Sequence, residues 1–314
     1  MYTKAKNNTE NISKKLLTVL CLCSMSLFIA KNEYVSRTFY EGLCFCLQNI
    51  LPTLFPFMFA SSILICSGSF DFISDILEKT LYKSKFNNNV LILCALGIIC
   101  GFPVGAKCTR ELYEQGKITK EEADICLIGS NCASPAFVIG AIGSRMLGSV
   151  NIGVLIWSIS VLTSITITLI LLPRQKSNTR YHTTNVAKIN NGVILKTALS
   201  SASASIINLC FLVSIFYLLA TVSIDLLDFF DISNAIKAAF AVALEMCVGC
   251  KTVSELMPEQ KAIYCAFAVG FGGISTLMQV KAEAHEGASI TKYLVSKLIC
   301  GCISSIFVFF YCKK

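Results

Sequence analysis

The sequence predicts an all-α polytopic membrane protein, and three observations predict it. The 314 residues are 54% hydrophobic and only 15% charged, with a mean hydropathy of +0.67, whereas a soluble domain carries about 25% charged residues. Apolar stretches recur at 16–30, 43–68, 123–143, 150–172, 203–224, 262–280 and 293–311. Most reach or approach the roughly 20 residues of a spanning helix. A block of the first half also returns in the second, interrupted at matching places. The fold expected is an inverted-topology repeat with two re-entrant helical hairpins and two interrupted helices.

Residues 1–37 form the tail and first helix, and residues 1–15 carry four lysines. Segment 16–30 follows Lys14 and Lys15 as a signal peptide would. Its exit, CSMSLFIAKNEY, lacks a small-x-small cleavage site, so an uncleaved first helix is expected.

Residues 38–172 form the first repeat. The apolar run 88–100 spans about 20 Å as a helix, too short for about 30 Å of hydrocarbon. GFPVGAK breaks it, and AKCTRELYEQG is too polar to finish the crossing. That second stretch is helical by pattern, with Lys107–Glu111 and Arg110–Glu114 at i, i+4. A hairpin over 88–115 that returns to its own side fits best, its break facing protein or water. A phosphate-binding loop needs G-x-x-x-x-G-K-[ST]; here Ala106 separates Gly105 from Lys107, and Cys108 follows. The next helix opens with the capping-box pattern Thr119-x-x-Glu122 and breaks over Asn131–Pro135. Helix 150–172 closes the half.

A basic linker, expected in the cytoplasm, covers 173–196. The second repeat covers 197–314, with its hairpin at 234–257. Its interrupted helix is opened by Pro258 and broken at Gly270–Ser275. Residues 95–112 and 239–256 align without gaps at an offset of 144, with six identities in 18 positions, among them the pairs Gly105/Gly249, Lys107/Lys251 and Glu111/Glu255.

Charge sets the orientation. With the N-terminus inside, successive crossings leave Lys79, Lys83 and Lys85 inside, along with the linker's Arg174, Lys176, Arg180, Lys188 and Lys196. The acidic loop near 224–233, with Asp225, Asp228 and Asp231, falls outside. The two hairpins then dip from opposite sides. Lys313 and Lys314 alone misfit.

Opposed halves with broken helices point to a transporter with a midplane site. Helix starts after Gly105, after Gly249, near Pro135 and near Ser275 each offer unpaired amides and roughly half a positive charge, which suits an anion. Each end contributes about 0.3–1 kcal/mol, up to about 2 when partly buried, while desolvating one carboxylate costs several kcal/mol. Lys107 and Lys251 would supply the rest, unless they pair with Glu111 and Glu255. Glu245 takes the place of Gly101 in the repeat; binding substrate, carrying a proton and pairing with Lys251 are its open roles. The candidate substrate-binding set is Gly101, Pro103, Gly105, Lys107, Asn131, Ser134, Glu245, Gly249, Lys251, Gly272, Gly273, Ser275 and Gln279.

Other classes fit poorly. The net charge of +8 sits in loops and is no nucleic-acid signature. The 17 cysteines lie mostly in apolar runs, as small hydrophobes do. Cys247-x-x-Cys250 lacks a second pair, so no metal is expected. Neither an enzyme activity nor a cofactor is expected. Besides an anion carrier, a nucleoside or nucleobase carrier and a non-transporting membrane scaffold stay open.

CGFPVGAKCTRELYEQGKITKEEAD, SNCASPAFVIGAIGSRMLG, ILPTLFPFMFASSIL and FGGISTLMQV resemble the YlbJ/SpoVV sporulation integral membrane proteins over roughly 40–312. That group has a nucleoside recognition (Gate) domain and is similar to concentrative nucleoside transporters. The resemblance implies two hairpins and two interrupted helices. It also implies a place in the mother cell's outer forespore membrane and dipicolinate as the anion moved toward the forespore. The lipid bilayer and, as a possibility left open, a second copy of the chain are the partners expected.

Overall fold

The computed structural model describes residues 28–69, 86–173, 191–256 and 260–313, with Thr18, Leu22, Met25 and Ser26. The first expected helix lies largely outside these residues. So do Lys79–Lys85, most of the basic linker, Pro258 and the side chain of Glu255. Among the described residues every regular element is a helix.

Helix α1 (Asn32–Phe45) passes through a π-helical turn (Cys46–Ile50) into α2 (Leu51–Cys66). The helix expected at 43–68 is therefore part of a longer rod, bent by 59°. The π turn and Pro52, which lacks an amide to donate, lie at the bend.

Hairpin one is α3 (Asn88–Cys100) and α4 (Val104–Glu114). Asn87 caps α3, its side chain accepting the Asn89 amide at 3.0 Å. Gly101 ends α3 at φ +83°, in the left-handed region. A Cβ there would also come within 2.9 Å of Ser134. The interrupted helix follows as α5 (Lys120–Ser130) and α6 (Ala136–Met146), the latter π-helical. Both bonds of the Thr119–Glu122 capping box form. Helix α7 is Val150–Leu171.

The second half repeats the order. Helix α8 (Asn191–Phe229) has 39 residues, with no proline and no glycine after its first turn. It is far longer than the run 203–224, and Asp225 and Asp228 lie within it rather than in a loop. Hairpin two is α9 (Asn234–Leu244) and α10 (Met246–Leu256), joined by Glu245 alone in an extended conformation. Its interrupted helix is α11 (Lys261–Phe271) and α12 (Gly273–Glu283), broken at Gly272 with φ +86°. Helix α13 (Ile290–Cys312) ends the fold.

Val150–Leu171, Gly192–Phe229, Lys261–Glu283 and Ile290–Cys312 are long and apolar enough to cross a bilayer; the bent α1–α2 rod would be a fifth span. The protein is an all-α polytopic membrane protein. Helices α6 and α9 are apolar pieces of 11 residues; α9 spans about 16 Å, half a crossing.

Contacts sort the connections to two ends. At one, Arg110 pairs with Glu283 at 3.4 Å, and Asp124 accepts the Ser289 amide at 2.9 Å. Asn87 and Asn89 both donate to the Lys117 carbonyl, so hairpin one starts and finishes at this end. At the other, Tyr34 donates to Asp225 and Lys237 pairs with Asp228. Ser305, late in α13, donates to the Ile263 carbonyl at 3.0 Å, so α11 begins away from the start of α13.

Small residues allow the close approaches, as in membrane helices generally. The Ser130 carbonyl oxygen is wedged between both helices of hairpin one. A Cβ on either Gly97 or Gly105 would lie 1.9 Å from it. In hairpin two, a Cβ on Gly249 would lie 2.5 Å from Val242 Cα.

Candidate substrate cleft

One cleft, enclosing about 500 Å³ of empty space with its open mouth included, lies where the two hairpin tips meet. Phe102 comes from the tip of hairpin one, and Glu245, Met246 and Cys247 from that of hairpin two. Ser134 and Phe137 come from the first helix interruption, and Gln279 from α12. Leu209 and Val213 on α8, Asn49 and Ile50 in the π turn, Leu54 on α2 and Ala133 complete the wall.

Backbone interruptions bring these groups together. The Phe102 amide donates to the Cys132 carbonyl at 2.9 Å, tying hairpin one to the first interruption. Gly273 packs against Leu244, where a Cβ would lie 3.1 Å from the carbonyl oxygen, so the second interruption meets the tip of hairpin two.

The chain's own side chains occupy most of the helix starts. Asn131 Oδ1 accepts the Ala106 amide at 2.9 Å and so caps α4, while its Nδ2 donates to the Leu127 carbonyl. Ser134 Oγ accepts the Phe137 amide at 3.4 Å at the start of α6. Glu245 Oε2 accepts the Val248 amide at 2.7 Å at the start of α10. Helix α12 has no side-chain cap. The helices begin at Val104, Met246, Ala136 and Gly273, within a few residues of the positions expected.

The candidate residues divide accordingly. Ser134, Glu245 and Gln279 line the cleft. Gln279 is also bonded to the buried Ser275, its Nε2 donating to Ser275 Oγ at 3.0 Å. Gly101, Gly105, Gly249, Gly272 and Gly273 set turns or close approaches around it. Pro103 borders a smaller adjoining hollow. Asn131 holds α4.

The two lysines are not brought to the cleft. Lys107 is fully buried, and its Nζ donates to Ser62 Oγ on α2 at 2.8 Å. It makes no ion pair with Glu111 among the described residues, whereas Arg110 and Glu114 do approach, at 3.9 Å. Lys251 is exposed and does not meet Glu245. The difference from the sequence expectation is physical: α2 covers one lysine, and the other stands on an open face of α10.

Sequence reasoning missed Asn49 and the two rings, Phe102 and Phe137. Gln48 and Asn49 were the available signal, two amides inside an apolar run just before Pro52. Lys297 was missed as well; it is buried in α13, with Nζ donating to Ser164 Oγ at 3.2 Å. The Cys247 and Cys250 thiols are buried and free. Among the described residues no cluster of His, Cys, Asp and Glu has the arrangement of a metal site.

The chain is similar to the sporulation integral membrane protein YlbJ of Bacillus subtilis (strain 168). The two are 24% identical over 341 aligned positions, covering 96% of this chain and 83% of that protein. No family model matches the chain, and no solved structure does.

Proposed function

Starting from a chain that is a relative of the YlbJ-type sporulation integral membrane proteins, we propose a carrier that moves a small carboxylate anion across the membrane. Dipicolinate is the anion the resemblance implies, passing out of the mother cell toward the forespore, with the chain in the outer forespore membrane. The observation that carries a transport reading is convergence. Two hairpin tips, a helix interruption and α12 edge a single cleft, a feature of carriers that work by alternating access.

In this reading the halves are inverted copies, the hairpins are re-entrant, and the basic linker faces the cytoplasm. The sorting of contacts to two ends supports it, since the basic linker and acidic residues then fall on opposite sides. A dianion leaving a negative-inside compartment gains roughly 4.6 kcal/mol per 100 mV. That suffices for facilitated efflux without covalent chemistry.

A second reading has its own observation. Among the described residues the cleft offers aromatic rings, amides and the Ser134 hydroxyl, and its one ionisable carboxyl is Glu245, with no lysine or arginine. Such a lining suits an uncharged nucleoside or nucleobase.

Uptake of dipicolinate against uridine by purified protein in liposomes separates the two. In the anion reading, Glu245→Gln keeps or raises dipicolinate flux, because a repelling charge has gone. In the nucleoside reading it lowers uridine flux by roughly tenfold, the scale of a lost charged hydrogen bond. Movement of neither substrate counts against both.

A further inference from the structure

A second, smaller hollow opens beside the cleft and shares Leu209 and Gln279 with it. Ser205, Asn208, Leu209 and Leu212 on α8 line it at i, i+3, i+4 and i+7, a single stripe of that helix. Gln279 and Glu283, one turn apart on α12, face the stripe. The stripe continues to Val213 in the cleft. From Val213 back to Ser205 is about 12 Å along the axis, toward the end of α8 that follows the basic linker. Cleft and hollow thus form one groove aimed at the linker side.

Two features of the groove are out of place in a wall facing lipid. Asn208 is exposed within the apolar run 203–224; polar groups at such depth face a wet cavity. Glu283 is buried and pairs with Arg110 of hairpin one at 3.4 Å. That ion pair joins the two halves of the chain at the far end of the groove. Arg110 keeps 28% of its side chain exposed, so an incoming carboxylate can reach the guanidinium and exchange with Glu283.

We infer that this hollow is the substrate's route between the cleft and the linker side. The Arg110–Glu283 pair is its latch, and Arg110 is the group that selects a carboxylate; among the described residues no lysine or arginine lines the cleft itself. Selection by Arg110 rests on the anion reading above; the route and latch do not.

The test has two arms. In the first, Asn208→Cys in the full chain, held in proteoliposomes, is treated with a charged, membrane-impermeant thiol reagent from the linker side. Labelling is scored by tandem mass spectrometry that assigns the adduct to residue 208 and not to Cys210 two residues on, since the chain has 17 cysteines of its own. Labelling is expected, and about fivefold faster when Glu283→Gln or Arg110→Gln breaks the pair. No labelling in any background overturns the route, and equal rates overturn the latch. In the second arm, Arg110→Gln is expected to lower dipicolinate uptake roughly tenfold while Arg110→Lys loses less. An equal loss from both variants, or an equal loss of uridine uptake, overturns selection by Arg110. If the unaltered protein moves no dipicolinate, the anion reading fails and the labelling arm still reports on the route.

Discussion

Asn131 Oδ1 accepts the Ala106 amide at 2.9 Å, so the residue that breaks one helix caps another. The interruption of α5 and the tip of hairpin one are therefore a single unit. Deleting the acceptor leaves a buried amide without its partner. Asn131→Ala is expected to destabilise the protein by about 1–2 kcal/mol, seen as a lower midpoint of thermal unfolding in detergent. An unchanged midpoint would remove the cap from the account.

Close approach sets the second expectation. A Cβ at Gly105 would lie 1.9 Å from the Ser130 carbonyl oxygen, whereas one at Gly140 meets nothing within 4 Å. Gly105→Ala should cost about 1–3 kcal/mol or more, because the backbone must move, and Gly140→Ala should be near neutral. Comparable folded yields for the two variants would contradict the packing described for hairpin one.

Lys107 and Lys251 should behave differently. Lys107 is buried against Ser62, and Lys251 is exposed. Lys107→Gln is expected to depress both folded yield and flux, while Lys251→Gln leaves both close to the starting protein. Flux through reconstituted protein, normalised to folded material, decides it. Equal loss from both changes would instead favour two lysines acting together on the substrate.

How much of this could be read from the sequence follows from the range of each interaction. Hairpins, interruptions and the Thr119–Glu122 box were legible because glycine, proline and capping chemistry act within a few residues. The fate of Lys107 was not, because its partner Ser62 lies 45 residues away on α2. Glu245 stood out as a charge in an apolar helix. Its bond to the Val248 amide was hidden, since glutamate is not among the preferred N-cap residues. Asn49 reaches the cleft through a π turn that no apolar periodicity announces.

His285 sets a pH dependence at the loop between α12 and α13. Its ring is buried, lies 4.7 Å from the Tyr113 ring, and brings Nε2 within 3.1 Å of Asp124 Oδ1. Burial holds the imidazole below its ordinary value of 6.5, against the opposing pull of Asp124. The folded protein therefore keeps His285 neutral where the unfolded chain takes up a proton. Its contribution to stability is complete above the unfolded value and is lost as pH falls below it. Thermal midpoints should drop between about pH 7 and pH 5, and His285→Gln should flatten that part of the profile.

Helix α8, at 39 residues, measures about 58 Å, nearly twice the hydrocarbon thickness. This one stiff beam meets Tyr34 through Asp225 near its far extremity and contributes Leu209 and Val213 to the cleft wall midway. With no proline and no mid-length glycine to act as a joint, it has no hinge at which to absorb a displacement. Tilting its near extremity must swing the far one, so events at the two membrane faces are mechanically tied through a single rod.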